Sequence, residues 1–252
     1  MEKQFVILRM DKGKGPGNGL SNHIDRVPGK EHSYKRADPS RLNLNKEYRM
    51  KYKGISISES VNIRLKNGYK TERKIRNTAV KYVGTILSGS HERMIEISKN
   101  KNLFNQWIKE NGEFMKEEVG VENIIRFTLH MDEKTPHIHC VFVPLTKDGR
   151  LSAKEVMGNR IKFFERQKRY AQRMEQFGLQ RGISSKRKHT TTEEYYKSLE
   201  QAVEEIQKMP FKSVRKLKPR DKTRLLEKVA QGEKIAIKLQ ELLNAKQQRF
   251  KM

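Results

Sequence analysis

The stretch His130-Met-Asp-Glu-Lys-Thr-Pro-His137-Ile-His139 sets three imidazoles and two carboxylates within a single short segment. Strand residues two apart project from the same face, so His137 and His139 can reach one ion. On the run before them, Asn123, Ile125, Phe127 and Leu129 make an apolar set, while Arg126, Thr128 and His130 point the other way. If the two runs pair antiparallel, the polar face brings His130 beside His137 and His139. Three imidazoles with open coordination positions suit a catalytic metal better than a closed structural one. Ligand softness alone leaves zinc, iron, nickel and manganese all open. Asp132 or Glu133, in the connecting loop, could orient an imidazole and set its tautomer. The competing reading is a hydrogen-bonded histidine pair with no metal, and the third histidine on the matching face weighs against it.

These side chains need a sheet to hold them. Asn123 to His130 and His137 to Val143 read as two strands, joined through the polar segment Met131 to Pro136. Phe5 to Met10 reads as a first, buried strand that runs into the glycines 13, 15, 17 and 19. Leu20 to Arg26 then fits one or two helical turns before Pro28, with His23 and Arg26 on one face. Residues 30–60 look polar and irregular. Glu59 to Arg76 carries so many cations that a phosphate-contacting loop or hairpin is expected there. Another strand is expected from Ala79 to Leu87, ending at Ser88-Gly89-Ser90. Leu103, Phe104, Trp107, Ile108, Phe114 and Met115 recur at helical spacing, with Asn111-Gly112 as a point of division and Trp107 as a core residue. Asn159 to Phe177 reads as an amphipathic helix with its basic side toward solvent or DNA.

With 252 residues the chain accommodates one substantial domain and an extension. The loop signals from Gly182 to Thr192 place the boundary near residue 190. The domain expected over residues 1–190 is α+β, a central antiparallel sheet with helices packed on it. Residues 191–252 are expected to form a basic α-helical extension, in which Tyr196, Leu199, Val203 and Ile206 make a packing stripe and Leu225 to Leu243 a further helix. No helix cap is evident at Arg249 to Met252, which suggests that a longer chain continues beyond it. A formal net charge of +25 makes a polyanion, above all nucleic acid, the expected partner. The sequence has no apolar run of about 18 residues and no signal-peptide core, so a cytoplasmic location without a membrane span is expected. The lone Cys140 cannot form an internal disulfide, which agrees with a reducing compartment.

Over roughly residues 1–190 the sequence resembles the Mob/Pre, or MobV-type, plasmid mobilisation relaxases of the HUH endonuclease group. The resemblance is carried by His130-x-Asp132-Glu133-x-Thr135-Pro136-His137-x-His139 and by the upstream His23-Ile-Asp-Arg26. The family's middle element, an Asn-Tyr pair, is met only in part: Asp38-Pro-Ser-Arg-Leu-Asn43-Leu44 keeps an asparagine and lacks the tyrosine. The resemblance implies an HUH relaxase palm and divalent manganese or magnesium on His130, His137 and His139. It also implies site- and strand-specific nicking and rejoining at an origin of transfer, through a covalent 5′-phosphoryl-protein intermediate during plasmid mobilisation. His23 inherits the nucleophile's role from the motif, with Tyr48 and Tyr52 as rival nucleophiles.

Within that expectation Arg26 could bind a phosphate by a charged fork. The DNA backbone would follow Arg64, Lys66, Arg73, Lys74 and Arg76, then Arg160 and Lys168, then Lys186 and Arg187. The expected partners are origin DNA, single-stranded or hairpin, with accessory mobilisation or coupling proteins and no small-molecule cofactor. A rolling-circle replication initiator or simple metal nuclease is the second enzymatic reading. The non-enzymatic one is a basic DNA-binding plasmid-control protein.

Overall fold

The computed structural model describes residues 4–182. Its centre is a five-stranded sheet built from β1 (Val6–Gly13), β2 (Lys46–Glu47), β3 (Tyr82–Gly89), β4 (Ile124–His130) and β5 (His137–Phe142). The strand order is β1-β3-β5-β4-β2, and every neighbouring pair is antiparallel. β4 and β5 form the expected hairpin, with His130 opposite His137 and Thr128 opposite His139. The fold is therefore the α+β sheet anticipated above. The second unit of the chain, including the 190 boundary, the Tyr196 to Ile206 stripe and the Leu225 to Leu243 helix, lies outside the described residues.

Alternation along the strands sends side chains to two cores. On one face Ile138, Cys140, Phe142, Phe127 and Leu129 pack with Met94 and Ile97 of α3 (His91–Lys99), Trp107, Phe114 and Met115 of α4 (Lys101–Val119) and Tyr170 of the basic helix Arg160–Met174. On the other, Val141 and Ile125 pack with Ile24 of α1 (Asn18–Ile24) and with Ile57 and Val61 of α2 (Ile57–Gly68). Completing the helices, α5 is Ala153–Met157 and α6 is Arg160–Met174.

Three expectations need correction. The segment Glu59 to Arg76 is a loop only in its second half: α2 runs through it to Gly68, started by Ser56, whose side chain accepts from Glu59 N–H, and residues 69–76 are irregular. The Ser56-x-x-Glu59 capping pattern was the available signal, masked by the density of cations after it. Asn111-Gly112 does not divide α4, because Asn111 is buried and bonded: its Nδ2 donates to Trp107 O at 2.7 Å and its Oδ1 accepts from Tyr170 at 2.8 Å. Finally, a register shift between Ile124 and Arg126 turns Ile125 onto the histidine-bearing face, and Ile124 takes its place among the apolar set. A bulge adds one residue to one strand, which reverses the alternation on its two sides. It leaves Thr128 and His130 on the face that the simple alternation gives them.

Candidate metal centre

The polar face of β4 and β5 is not open to water. α1 lies over it, and His130 and His139 are 0 % and 5 % exposed. α1 starts at Gly17, whose φ of 79° suits glycine and whose Cβ would meet Ile57 Cγ2 at 3.1 Å. The helix ends at Asp25, and the next residue, Arg26, has φ 47°, the only positive φ of a non-glycine among the described residues. That sharp left-handed step carries the Arg26 side chain back under His23 and onto the hairpin loop.

Arg26 is the hub of the centre. Its Nε donates to Asp132 Oδ2 at 2.7 Å, and its Nη2 lies 2.9 Å from Asp132 Oδ1, 2.8 Å from Glu133 Oε1 and 2.9 Å from His130 Nδ1. Nη1 donates to the His23 carbonyl at 2.7 Å. Burial opposes the guanidinium's charge, but the hydrogen bonds and charges of Asp132 and Glu133 outweigh it and raise its pKa. Burial likewise opposes the charge on Asp132, which Arg26 overcomes, so its carboxyl sits below the usual range.

The imidazoles have defined tautomers. His130 Nε2 faces the Ile24 carbonyl at 2.9 Å and so carries the proton, while Nδ1 accepts from Arg26, so that bond must give way before His130 Nδ1 can hold an ion. His137 Nδ1 donates to Thr135 O at 2.9 Å, which leaves its Nε2 lone pair aimed at His139 Nε2, 3.1 Å away. Two nitrogens sharing one cation at about 2.1 Å each stand about 3–3.4 Å apart, so this pair fits a metal ion. The rings of His130 lie 5.2 Å from His137 and 4.7 Å from His139. Ligand atoms of His23, His130 and His139, and separately of His130, Glu133 and His137, also come within 4.8 Å of one another. The rings of all three expected histidines are neighbours, and the two groups whose ligand atoms converge share His130 and bring in His23 or Glu133. Burial, followed by the charge of Arg26, pushes the His130 pKa down to about 3. His137 and His139 are lowered too, again by burial first. Neutral imidazoles are the form that ligates a metal.

His23 stands 28 % exposed at the mouth of this cluster. Its ring is 5.1 Å from that of His139 and 5.8 Å from that of His130. Nδ1 donates to Ser33 O at 2.8 Å, so the lone pair is on Nε2, which lies 3.8 Å from Glu133 Oε1.

A family model for plasmid recombination enzymes, Mob_Pre, matches residues 2–197. The chain belongs to this family. It is 31 % identical over 211 residues to the plasmid recombination enzyme type 1 of Staphylococcus aureus, covering 81 % of this chain and 51 % of that one. A Bacillus thuringiensis plasmid recombination enzyme is 26 % identical over 209 residues, with 80 % and 44 % covered. The chain thus spans about half the length of these curated relatives. The relaxase domain of MobM (MOBV; Mob_Pre), solved with manganese and bound to plasmid pMV158 oriT DNA, superposes with a TM-score of 0.69 at 27 % identity, over 77 % of this chain and 98 % of that one. The sheet and its helices are therefore the relaxase fold.

The asparagine matched above to the family's middle element is not the one that meets the histidine loop. Asn43 is exposed on a 3-10 turn, whereas Asn45, two residues on, accepts from Met131 N–H at 2.7 Å through Oδ1. Its buried Nδ2, without a hydrogen bond of ordinary geometry, faces the Asp132 carboxylate and helps keep it ionised. Asp38 N–H donates to Asp132 O at 2.6 Å, so the 38–45 segment clamps the histidine loop. A second unforeseen support is Arg126, 1 % exposed, which donates to Asp25 Oδ1 at 3.0 Å and Ser60 Oγ at 3.1 Å, and also to Ile55 O. Its position on the polar face of β4 was the available clue.

The rival nucleophiles sit elsewhere. Tyr52 is 1 % exposed within the second core. Tyr48 packs against Phe127, whose side chain belongs to the first core on the opposite face. Among the basic residues, Lys66, Arg73, Lys74, Arg76, Arg160 and Lys168 are exposed. Arg64 is partly committed within the protein: it donates to Asn123 Oδ1 from Nε at 3.1 Å and Nη2 at 2.9 Å, because the unforeseen helix α2 turns it toward the β4 end. The basic side of α6 is likewise partly committed, since Arg166 and Arg169 both bond Glu118 of α4. Lys186 and Arg187 lie outside the described residues.

Proposed function

We propose that this chain nicks one DNA strand at an origin of transfer and rejoins it, with His23 as nucleophile and a divalent cation, manganese or magnesium, on His130, His137 and His139. The single observation that carries this is the His23 tautomer: Nδ1–H on Ser33 O leaves the Nε2 lone pair exposed beside the imidazole cluster. Family membership and the manganese and oriT DNA of the MobM domain support the substrate and the ion. The nicking activity belongs to residues 1–190, since every residue of the centre precedes Cys140. With DNA as substrate, the cytoplasm is the place of action.

The cation supplies Lewis acidity that neutralises charge on the scissile phosphate. His23 Nε2 attacks phosphorus in line. An N–P bond forms, the P–O3′ bond breaks, and the departing 3′-oxygen takes up a solvent proton to become a hydroxyl. The proton stays on His23 Nδ1, donated to Ser33 O, and this bond fixes the ring during attack. Arg26 and Glu133 hold the ring's surroundings, and Asp132 holds Arg26. A phosphoramidate stays energy-rich, so attack by a 3′-hydroxyl reverses the step and reseals the strand. The burial of Tyr52 and the placing of Tyr48 against Phe127 favour histidine over tyrosine.

The test is incubation with manganese and supercoiled or single-stranded origin DNA, followed by adduct analysis. We expect an acid-labile protein-DNA adduct that disappears in His23→Ala. An acid-stable adduct would indicate tyrosine, nicking without adduct would indicate hydrolysis, and failure to nick cognate DNA would leave only a binding role.

A further inference from the structure

Behind the wall formed by Ile24, Asp25 and Arg26 lies a cavity of about 530 Å³ that the chemistry above does not use. It is bounded on the far side by the 42–47 and 53–56 segments and floored by Arg126 and Thr128 of β4. The volume lies in the range of small-ligand pockets and suits one nucleotide rather than a duplex.

The lining has a division of labour. Val27, Leu42 and Ile55 offer apolar surface of the kind on which a flat ring rests. Its acids are already engaged by the protein: Glu47 accepts from Arg49 N–H, Phe127 N–H and Thr128 Oγ1–H, and Asp25 accepts from Arg126 and Ser21. The walls are therefore preorganised, and they do not present unmatched negative charge to an incoming anion. Lys46 and Lys53 are exposed and line the same cavity, so the cationic groups on its rim match a phosphate. Apolar walls for a ring, lysines for its phosphate and a shared boundary with Arg26 together describe a seat for part of a DNA strand.

We infer that this cavity takes one unstacked base of the bound strand, next to the phosphate that His23 attacks, and so reads DNA sequence at one position. The inference rests on the nicking proposal for the direction in which the strand enters. Holding a base here would also fix the register of the scissile bond, since the strand cannot slide while a ring is seated.

The probe is a short single strand enriched from a randomised pool by the full chain, then resynthesised with an abasic site at each position in turn. For the unaltered protein, one abasic position next to the nick should raise Kd by roughly ten-fold, the scale expected for one seated base. In Leu42→Trp, whose indole would fill the cavity, the intact strand and that abasic strand should bind alike, with the thermal unfolding midpoint showing that the variant is folded. Absence of any position whose abasic loss disappears in Leu42→Trp overturns the inference. Should Leu42→Trp not fold, 4-thiothymidine at the abasic-sensitive position decides: photocrosslinks to the peptide 42–56 support the seat, and crosslinks only elsewhere refute it. Nicking and binding are read separately. Nicking without an abasic-sensitive position sinks the seat alone, whereas an abasic-sensitive position crosslinked to 42–56 without nicking sinks the nicking proposal and leaves the seat.

Discussion

At Arg26 a positive charge sits between two carboxylates and an imidazole with its side chain only 7 % exposed, while that of Asp132 is fully buried. Such a pair contributes little over an apolar substitute, yet breaking it leaves a buried charge without its partner. Asp132→Ala should therefore destabilise the protein by about 3 kcal/mol in urea unfolding, with a larger loss of nicking, because Arg26 would no longer hold the His23 loop against the hairpin. A cost near that of a surface pair, below about 1 kcal/mol, would mean that Arg26 finds other partners. Cys140 behaves oppositely. It is fully buried under the sheet, and burial pushes its thiol up. Iodoacetamide should leave it unmodified in the folded protein and label it once urea unfolds the chain, as mass spectrometry would show. Rapid labelling under native conditions would contradict the packing of β5 against α3 and α4.

Among the elements, the hairpin loop after β4 is held from three directions. Arg26 reaches it from the end of α1, Asp38 and Asn45 clamp it from the turn before β2, and His91 at the start of α3 meets Thr135 Oγ1 at 2.9 Å. The loop's carboxylates and the backbone of its histidines are thus set by elements far apart in sequence. Asn45→Ala removes the acceptor of a partly buried backbone N–H, and stability should fall by about 1–2 kcal/mol. Nicking should fall further than stability, since Asp132 would lose one of its supports. Asn43→Ala, on the exposed side of the same turn, should do neither. Equal effects of the two substitutions would remove the case for Asn45. α2 makes a second case: Ser56→Ala should cost about 1 kcal/mol through loss of the N-cap, read as a lowered unfolding midpoint.

Across the whole molecule, two charge effects differ in sign and reach. The histidine cluster is held neutral by burial, with the His130 pKa lowered to about 3 from its usual 6.5. A folded-state pKa below the unfolded one means that the unfolded chain binds more protons between those values. Stability of the metal-free protein in EDTA should therefore be fully present above about pH 6.5 and drain away as the pH falls toward 3, at up to about 1.4 kcal/mol per pH unit for each such imidazole. Flat stability between pH 6.5 and 4 in chemical denaturation would refute this. Bound divalent cation should shift the loss to lower pH, because protons and metal compete for the same nitrogens. The net charge of +25 acts over a longer range. Affinity for single-stranded DNA should fall steeply with salt, by about ten-fold or more between 50 and 200 mM, and substitution of the exposed Arg73, Lys74 and Arg76 should flatten that dependence. Arg64→Ala should flatten it less, because its guanidinium is committed to Asn123.

The sequence alone determined the hairpin, the three imidazoles on it and the placing of His23 and Arg26 after a first strand and glycine-rich loop. These follow from period-two alternation and short-range spacing, which depend on neighbours along the chain. The same local reasoning put Trp107 in the core. Only the tertiary structure decided that the polar face is roofed by α1, that Asn45 rather than Asn43 supports the loop, and that Arg64 bonds Asn123. The bulge near Ile125 and the unbroken α4 belong with these, since Asn111 is tolerated there by virtue of Trp107 and Tyr170. The physical reason is common to all of them: a polar side chain's role is set by the partner that satisfies it, and these partners lie across the sheet or on another helix.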